Sequence, residues 1–330
     1  MAPVEVDFLH KQLHQRKDRL QAALAVTPAN NGLAGLLREV DSALERMTKG
    51  TYGICDECHD TIECDRLLSN PLIRYCLDHL TPADRAALQR DLDLASDLQR
   101  KLLPPPGLSN GNWQTSYHYA PAGPVSGDYC DLILSDGQLF FILGDVSGKG
   151  IAASMLMAQL HALFRSLIGV GLPLCQIISQ VNRVFCESVL AGLYATLVFG
   201  RATQSGEVEI HNAGHLPVIV TGCGEALRVD STSMPLGMFD QVEFTSTSLK
   251  LEAGDTLLLY TDGLSEACNR ALNQGDEYGV DRLAHLMQKQ AALSPADLIS
   301  ACLQDVSAFT GSSPYSDDLT LLAIRHIGSA

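Results

Sequence analysis

The stretch Gly-Asp-Val-Ser-Gly-Lys-Gly at residues 144–150 constrains the fold most, because an apolar run leads into it and a helical pattern follows it. Residues 139–143, Leu-Phe-Phe-Ile-Leu, have the length and composition of a buried strand. A phosphate-binding P-loop needs four residues between its first glycine and the Gly-Lys pair, and then Ser or Thr. Here the spacing is three residues, and glycine stands in place of the hydroxyl residue. The stretch therefore predicts a sharp strand-to-helix turn that presents Asp145.

Three further acids lie in comparable places. Asp262 directly follows such a run, Asp317 precedes one, and Asp128 lies in Ser-Gly-Asp-Tyr. Carboxylates at strand ends can converge on one edge of packed sheets, and oxygen ligands of this kind suit Mg²⁺ or Mn²⁺. Each Asp-Gly taken singly also fits an ordinary turn, so the spacing alone leaves both interpretations open.

From Trp113 onward, short apolar runs alternate with longer helical patterns. Strands are predicted at 139–143, 195–200, 208–211, 217–220, 256–260 and 319–324. Helices are predicted at 151–168, 174–190, 279–290 and 295–309. Many strands with a few long helices predict an α+β domain of layered sheets.

A cysteine cluster precedes this region. Cys55 and Cys58 form one Cys-x-x-Cys pair, and Cys76 and His79 follow after a gap of seventeen residues. This spacing is typical of a zinc ribbon, in which four ligands close the coordination shell of one structural Zn²⁺. The alternative is unrelated cysteines with a chance histidine, and Cys64 is a possible substitute ligand.

The first part of the chain reads as helical. Helices are expected at 5–25 and 33–47, joined by a turn at 27–32, which together predict a helical hairpin. A further helix over 82–103 ends at a run of three prolines.

These patterns divide the chain into three parts. Residues 1–80 form the hairpin and zinc module, 81–106 a linker helix with a possible coiled coil, and 107–330 the large α+β domain.

The charge of the chain bears on its partners. Its net charge is −15, and most of the acidic excess lies after Pro104. An acidic surface argues against direct nucleic-acid binding, which requires Lys and Arg. No signal peptide is recognisable and no apolar run reaches the roughly 18–20 residues that span a bilayer, so we expect a cytoplasmic protein without membrane contact.

Residues 113–326 resemble a PPM-type protein serine/threonine phosphatase of the SpoIIE/RsbU kind. The matching blocks are SGDYCDL (126–132), FFILGDVSGKGIAASMLMAQL (140–160), YATLVFGRA (194–202), NAGHLPVIV (212–220), MPLGMF (234–239), GDTLLLYTDGLSEA (254–267) and SDDLTLLAI (316–324). The resemblance implies a β-sandwich flanked by helices, with two or more catalytic Mn²⁺ or Mg²⁺ ions at one end.

The resemblance also implies roles for individual residues. Asp145 would bridge the two ions, the carbonyl of Val146 would complete one shell, and Asp262 and Asp317 would be terminal ligands. Asp128 would hold metal-bound water or a further ion. A metal-activated hydroxide would then attack the phosphorus directly, without a phospho-enzyme intermediate.

Three other motif residues have less direct roles. Lys149 is expected to face solvent, with a phosphate contact as the alternative, and His215 is expected to stabilise a turn. Ser147 stands where eukaryotic members of the superfamily have a histidine, so no acid for the leaving group is assigned and slow, partner-dependent turnover is expected.

Residues 43–80 resemble the zinc finger of the DksA/TraR type, through Gly-Thr-Tyr-Gly, Cys-x-x-Cys, Arg-Leu and the second ligand pair. In that family a helical hairpin with acidic tip residues enters the secondary channel of RNA polymerase. The corresponding tip here has no carboxylate. Zinc binding carries over, and the module would serve as a sensor or a dimerisation domain.

Together these features predict a bacterial signalling phosphatase, acting as a homodimer under the control of its zinc module. The resemblance implies a phosphorylated anti-sigma-factor antagonist of the STAS type as substrate. Two alternatives are a transcription regulator that binds RNA polymerase through the zinc hairpin and a catalytically inactive PPM domain used for binding.

Overall fold

The computed structural model describes most of the chain as two compact units. The described residues are 3–26, 30–80, 82–190, 192–222, 226–268, 276–311 and 317–328. The units are Met1–Asp91 and Leu92–Ala330. Their division lies inside the helix that the sequence predicts as a linker. Residues 27–29 of the predicted hairpin turn lie outside the described residues.

The first unit begins with helices α1 (Pro3–Val26) and α2 (Asn31–Thr48). The Asn30 side chain caps α2 by accepting hydrogen bonds from the backbone N–H groups of Gly32 and Leu33, at 3.1 and 3.2 Å. Leu13 packs with Val40 and Leu44 in a small buried cluster. The two helices therefore stabilise each other through one apolar stripe.

The cysteine region follows α2. It contains the short helix α3 (Cys64–Ser69) and one 3₁₀ turn (Leu77–His79), with an isolated β-bridge between Ile54 and Thr61. Its buried cluster is small and includes Cys55, Ile62 and Cys76. A core of this size supplies little stability by itself.

Helix α4 (Pro82–Arg100) runs across the division between the units. The sequence predicted a helix to residue 103, and this end is wrong: Lys101 donates to the carbonyl of Leu98, an i−3 bond of a tightened last turn. Two of its leucines, Leu94 and Leu98, are 60% and 56% exposed.

Two antiparallel sheets form the centre of the second unit. In chain order the strands are β1 (Ser109–Asn110), β2 (Trp113–Ala120), β3 (Asp128–Ser135), β4 (Gln138–Val146), β5 (Ala195–Ala202), β6 (Glu207–Ala213), β7 (Val218–Thr221), β8 (Leu227–Val229), β9 (Thr247–Lys250), β10 (Thr256–Tyr260) and β11 (Leu319–His326). The six-stranded sheet has the order β1-β2-β11-β10-β7-β8, and the five-stranded sheet has the order β3-β4-β5-β6-β9.

Helices cover both outer faces of this pair of sheets. The helices are α5 (Ile151–Ile168), α6 (Leu174–Ser188), the single turn α7 (Asp262–Ser265), α8 (Val280–Lys289) and α9 (Pro295–Thr310). One buried cluster contains residues from both sheets, among them Phe141, Val198 and Leu322. Separate clusters join α5 and α6 to the five-stranded sheet and α8 and α9 to the six-stranded sheet. The predicted α+β class, with layered sheets flanked by helices, is confirmed.

Helix α5 differs from expectation in one respect. By length and composition alone it qualifies as a membrane-spanning candidate, although no run of that kind was expected. Its residues Met157, Leu160 and Phe164 are buried in the cluster that α5 shares with the five-stranded sheet. The apolar residues of α5 therefore include those that pack the helix against the five-stranded sheet.

Candidate active site

The β3–β4 hairpin brings two of the predicted acids together. Asp128, the first residue of β3, lies directly opposite Asp145, near the end of β4, in the antiparallel ladder. Residues paired in this way have Cβ atoms about 4.5–5.5 Å apart. Asp128 is buried and Asp145 is half-buried.

Close approach of the backbone at this point requires glycine. A Cβ atom on Gly127 would lie 2.8 Å from the carbonyl oxygen of Val146 and 3.3 Å from an Asp145 carboxylate oxygen. The Val146 N–H also donates to the Gly127 carbonyl at 3.3 Å. The loop before β3 and the end of β4 therefore form one tightly packed rim.

The other two acids come from neighbouring strands of the six-stranded sheet. Asp262 follows β10 and Asp317 precedes β11, and these strands pair so that Tyr260 lies opposite Leu321. A Cβ atom on Gly263 would lie 2.1 Å from the Asp318 carbonyl oxygen. Glycine at this position thus allows the Asp262 turn to pack against the backbone of the second acidic pair.

Two threonines hold the buried carboxylate of Asp128. The hydroxyls of Thr261 and Thr320 both donate to its Oδ2, at 3.0 and 2.5 Å. The Thr261 hydroxyl also accepts from the Thr320 N–H at 2.9 Å. Thr261 directly follows β10 and Thr320 lies in β11, so these bonds join the two sheets. Sequence reasoning missed both residues. We call the edge that carries Asp128, Asp145, Asp262 and Asp317 the acidic rim.

Asp318, the residue after Asp317, was not predicted as a site residue. Its Oδ1 accepts from the Ala122 N–H at 2.7 Å, and its Oδ2 accepts from the Ser126 hydroxyl at 2.7 Å and the Gly127 N–H at 3.0 Å. Asp318 therefore fixes the loop that leads to Asp128. The doubled acid before a strand was the available signal.

Burial and neighbouring acids raise the pKa values of Asp145 and Asp128. Burial raises the pKa of Asp145 to about 7, with contributions from the charges of Asp262, Asp317 and Asp318 that Lys149 partly offsets. Burial and then the charge of Asp145 raise the pKa of Asp128 well above its usual value. Such a cluster favours bound cations, which would relieve the repulsion between the carboxylates.

Oxygen ligands of this kind fit Mg²⁺ or Mn²⁺. Among the described residues, the acids do not form a group of three or more whose ligand atoms all lie within 4.8 Å of one another.

Lys149 is exposed, as the sequence predicted, but its side chain also contacts the site. Its Nζ lies 2.9 Å from Oδ2 of Asp317. This hydrogen bond to Asp317 raises the pKa of Lys149. The adjacent Gly148 and Gly150 have φ values of 94° and 75°, which favour glycine, and they shape the turn that carries Lys149.

Ser147 is engaged with the backbone of Tyr194. Its N–H donates to the Tyr194 carbonyl, and its hydroxyl accepts from the Tyr194 N–H, both at 2.8 Å. The side chain thus holds the turn after Asp145 against the segment before β5.

His215 is buried and links three segments. Its N–H donates to Asn212 Oδ1 at 3.0 Å, Nδ1 contacts the Thr196 hydroxyl at 2.9 Å, and Nε2 contacts the Tyr260 carbonyl at 3.1 Å. Burial lowers the pKa of His215 to about 4, so the ring is neutral at pH 7. These contacts support the turn-stabilising role expected from the sequence.

Gln99, in the last turn of α4, contacts the same rim. Its Nε2 donates to the Ser126 carbonyl at 2.7 Å, and its Oε1 accepts from the Ser126 N–H at 2.9 Å. Both partners are buried. The end of the linker helix is thereby joined to the backbone two residues before Asp128, a contact that no sequence signal indicated.

The cysteine cluster lies in the first unit. Ligand atoms of Cys55, Cys58, Cys76 and His79 all lie within 4.8 Å of one another, with Cys58 Sγ 3.7 Å and His79 Nδ1 3.3 Å from Cys76 Sγ. Tetrahedral Zn²⁺ with bonds of about 2.0–2.3 Å places its ligands about 3.5–3.8 Å apart. The four residues fit zinc, and Cys64 is not among them.

The thiols of Cys55 and Cys58 differ in how readily they ionise. Burial opposes ionisation of the Cys55 thiol, but the backbone N–H groups of Cys58, Cys76 and Glu57 outweigh it and lower the pKa of Cys55 to about 6. A backbone hydrogen bond from Asp60 favours the Cys58 thiolate, but burial and hydrogen bonds with the Cys76 and Cys55 thiols outweigh it and raise the pKa of Cys58 to about 11. A thiolate is the form that binds zinc.

Comparison with known families gives a match over the second unit. The family described as Stage II sporulation protein E (SpoIIE) matches residues 135–327, more than half of the chain. The matched range includes Asp145, Asp262 and Asp317.

Two curated relatives each match more than half of the chain. Protein IcfG of Synechocystis sp. is 28% identical over 264 residues, which are 71% of this chain and 41% of IcfG. Phosphoserine phosphatase RsbP of Bacillus subtilis is 30% identical over 185 residues, which are 54% of this chain and 46% of RsbP. The chain therefore spans less than half the length of either relative.

A solved structure shares the fold. The RsbU and RsbW domains of Rv1364c from Mycobacterium tuberculosis superimpose with a TM-score of 0.58 at 29% sequence identity. The match covers 69% of this chain and 62% of that one.

Proposed function

The chain belongs to the Stage II sporulation protein E (SpoIIE) family, and from this membership we propose that it is a metal-dependent protein serine/threonine phosphatase. The observation that carries the proposal is the meeting of Asp128, Asp145, Asp262 and Asp317 at one rim of the two sheets. The raised pKa values of Asp128, Asp145 and Asp262 support a site built for cations.

The residues that would hold two Mn²⁺ or Mg²⁺ ions are Asp145, Asp262, Asp317, Asp128 and the carbonyl of Val146. When bound, the ions supply a water nucleophile of lowered pKa and neutralise charge on the phosphoryl group. The Thr261 and Thr320 hydroxyls orient Asp128 by occupying one of its two carboxylate oxygens. Asp318 and Gln99 keep the loop before Asp128 in place.

Lys149 has two partners in this proposal. Without a phosphoryl group it pairs with Asp317. Because it is exposed at the rim, it can turn toward an incoming phosphate. The hydroxyl of Ser147 accepts from the Tyr194 N–H, which holds it against the backbone before β5. No acid for the leaving group is assigned, which is consistent with slow turnover.

The proposed substrate is a phosphoserine or phosphothreonine in an anti-sigma-factor antagonist of the STAS type. The relative RsbP is named a phosphoserine phosphatase, which supports the chemistry of the substrate. The acidic character of the chain favours a substrate protein with basic groups around its phosphorylated residue.

We propose that the first unit and α4 regulate the phosphatase activity of the second unit. The chain would act as a homodimer. One structural Zn²⁺ on Cys55, Cys58, Cys76 and His79 would fold the module that precedes α4. Because Gln99 of α4 holds the backbone of Ser126, a change in the last turn of this helix would move the loop that carries Asp128.

The experiment is phosphate release from a phosphoserine STAS protein in Mn²⁺, comparing wild type with Asp145→Asn. We expect the variant to lose at least 100-fold in rate, since it removes a carboxylate that would hold the metal ions. Asp136→Asn is the matched control. Asp136 lies in the turn at the opposite end of the same hairpin, where its φ of 51° suits Asn.

Equal rates for wild type and Asp145→Asn would overturn the proposal. A folded wild type without Mn²⁺-dependent turnover would favour an inactive binding domain instead. Regulation of transcription through RNA polymerase would appear as capture of purified polymerase by the intact chain.

A further inference from the structure

The first unit contains a cavity of about 830 Å³ that neither the acidic rim nor the zinc ligands use. Ligand-binding cavities typically measure about 300–1,000 Å³. Five arginines line it: Arg16, Arg38, Arg46, Arg66 and Arg74. Only two acids, Glu39 and Asp84, line the same cavity, so its lining is basic although the chain as a whole is acidic.

Arg46 has side-chain N–H groups that lack hydrogen-bond partners in the described part of the chain, and this is the main evidence for a bound anion. Its Nε and Nη1 atoms are buried and have no hydrogen-bond partner among the described residues. Its guanidinium group lies 5.9 Å from the centre of the Tyr52 ring, which covers one face. Two buried, unpaired N–H groups on a half-buried arginine are costly, and an anion in the cavity that Arg46 lines would offset this cost by stabilising its charge.

The surroundings of Arg46 increase this demand. Burial lowers its pKa, and the charge of Arg74 adds to the lowering while Asp56 opposes it. Arg74 itself is occupied by Asp56, since its Nε donates to a carboxylate oxygen at 2.6 Å. Asp56, the acid whose charge favours the ionised form of Arg46, is therefore committed to another arginine.

The other arginines fall into two groups. Arg66 contacts Glu63 and the Tyr75 carbonyl, at 3.2 and 2.9 Å, so its guanidinium is held in place. Arg16 and Arg38 are exposed, and in the described part of the chain neither forms an ion pair. Oriented and available guanidinium groups thus face one cavity.

We propose that this cavity binds a phosphate-bearing small molecule, with its phosphates on Arg46, Arg38 and Arg16 and an apolar or planar body against Leu72, Ile73 and Tyr75. The planar fork of a guanidinium group donates two parallel hydrogen bonds to phosphate oxygens. The three apolar residues belong to the same lining. The first unit would then be the ligand-sensing part of the chain, independently of the reaction at the acidic rim.

Isothermal titration calorimetry on the full, zinc-containing chain tests this site, with ADP and pyrophosphate as probes. No Mn²⁺ or Mg²⁺ is added, so the acidic rim has no cation with which to hold phosphate. We expect one ADP per chain, bound at least 5-fold more tightly than pyrophosphate. The reason is that the adenosine part of ADP would also contact Leu72, Ile73 and Tyr75, the apolar wall of the cavity. Citrate, which has carboxylates only, should bind at least 10-fold more weakly than pyrophosphate.

Variants separate the cavity from general charge effects. Arg46→Gln should weaken ADP binding at least 10-fold, and Arg38→Gln or Arg16→Gln at least 3-fold. The last two residues are exposed, so these variants test the site even if Arg46→Gln fails to fold. Arg19→Gln is the matched control, because Arg19 is exposed on α1 but does not line the cavity.

Asp145→Asn should bind ADP with unchanged affinity, which distinguishes this site from the acidic rim. The proposal is overturned if neither phosphate probe binds, or if the Arg38 and Arg16 variants bind like wild type. It is also overturned if Arg19→Gln weakens binding as much as they do, or if citrate binds as tightly as pyrophosphate. Equal affinity for ADP and pyrophosphate would overturn the role assigned to the apolar wall.

Discussion

Asp128 is buried, yet only one of its carboxylate oxygens is committed to hydroxyl donors. Thr261 and Thr320 both donate to Oδ2, and these bonds lower a pKa that burial and Asp145 raise. Removing one hydroxyl should therefore make the carboxylate harder to ionise and less well oriented. We expect Thr320→Val to raise the Mn²⁺ concentration needed for half-maximal phosphatase activity about 10-fold, equivalent to about 1.4 kcal/mol of lost metal binding.

The control for this prediction is Thr256→Val in the neighbouring strand β10. The Thr256 hydroxyl is buried without a hydrogen-bond partner in the described part of the chain, so its loss should leave the Mn²⁺ dependence unchanged. If Thr320→Val titrates with Mn²⁺ as wild type does, the hydroxyl pair has no part in positioning Asp128.

His215 gives the second unit a defined pH dependence of stability. Burial lowers its pKa from 6.5 to about 4 in the folded protein, so between these values the unfolded chain binds the extra proton. Stability must then fall as the pH decreases from about 6.5 to about 4, by about 3 kcal/mol from this residue. Above pH 6.5 the contribution is complete and constant.

Urea unfolding followed by fluorescence measures this effect, because the single tryptophan, Trp113, is buried in the second unit. Between pH 7 and 4, wild type should lose about 3 kcal/mol more than His215→Gln. His285→Gln, at an exposed position of α8, is the control and should follow wild type. Parallel pH profiles for wild type and His215→Gln would contradict the assignment.

Residues that carry the chemistry were easier to predict than those that position them. Asp145, Asp262 and Asp317 stand beside apolar strands, and that pattern can be recognised in the linear sequence. Thr320 also lies in a strand, but its role depends on a partner 192 positions away, which no local pattern contains. The roles of the four predicted acids as metal ligands remain predictions.

Among the strands, those rich in aliphatic residues were predicted from the sequence, and more polar ones were missed. The strands β4, β10 and β11 are runs of buried aliphatic and aromatic residues and were expected, whereas β2 and β3 were not. β2 reads Trp-Gln-Thr-Ser-Tyr-His-Tyr-Ala, and β3 begins with Asp and carries a second buried acid, Asp131. Arg165 of α5 pairs with Asp131, which allows the acid to be buried there.

Apart from the residues of the acidic rim itself, the last turn of α4 is where we expect a substitution to reduce catalysis most. Gln99 makes two buried hydrogen bonds to the backbone of Ser126, and Gln99→Ala removes both. Leaving a buried donor and acceptor unpaired costs about 1–3 kcal/mol. We expect the second unit to lose stability by that amount and kcat to fall about 10-fold, measured with saturating Mn²⁺.

Lys101→Ala is the comparison for this variant, because Lys101 is exposed in the turn directly after α4. It should retain wild-type kcat and stability. A Gln99→Ala protein that is less stable but fully active would show that the contact serves folding alone, and that the end of α4 does not control the loop before Asp128.

The two units differ in what stabilises them. The second has three buried clusters built on two sheets, whereas the clusters of the first are small and include two of the proposed zinc ligands. In a small domain of this kind, the free energy of metal binding is a large part of the free energy of folding. Loss of zinc should therefore unfold the first unit and leave the second folded.

Cys76→Ser tests this directly, because it removes a zinc ligand without a chelator that would also remove Mn²⁺ from the acidic rim. We expect zinc content below one tenth of wild type and an early loss of far-ultraviolet ellipticity as α1 and α2 unfold. The transition reported by Trp113 fluorescence should shift by less than about 2 °C, since a change of 1 kcal/mol in a domain of this size moves the midpoint by about 2–4 °C. Cys175→Ser, at an exposed position outside the cluster, is the control. If Cys76→Ser lowers both transitions together, the two units fold as one, and the zinc module acts on the phosphatase through shared stability rather than through α4 alone.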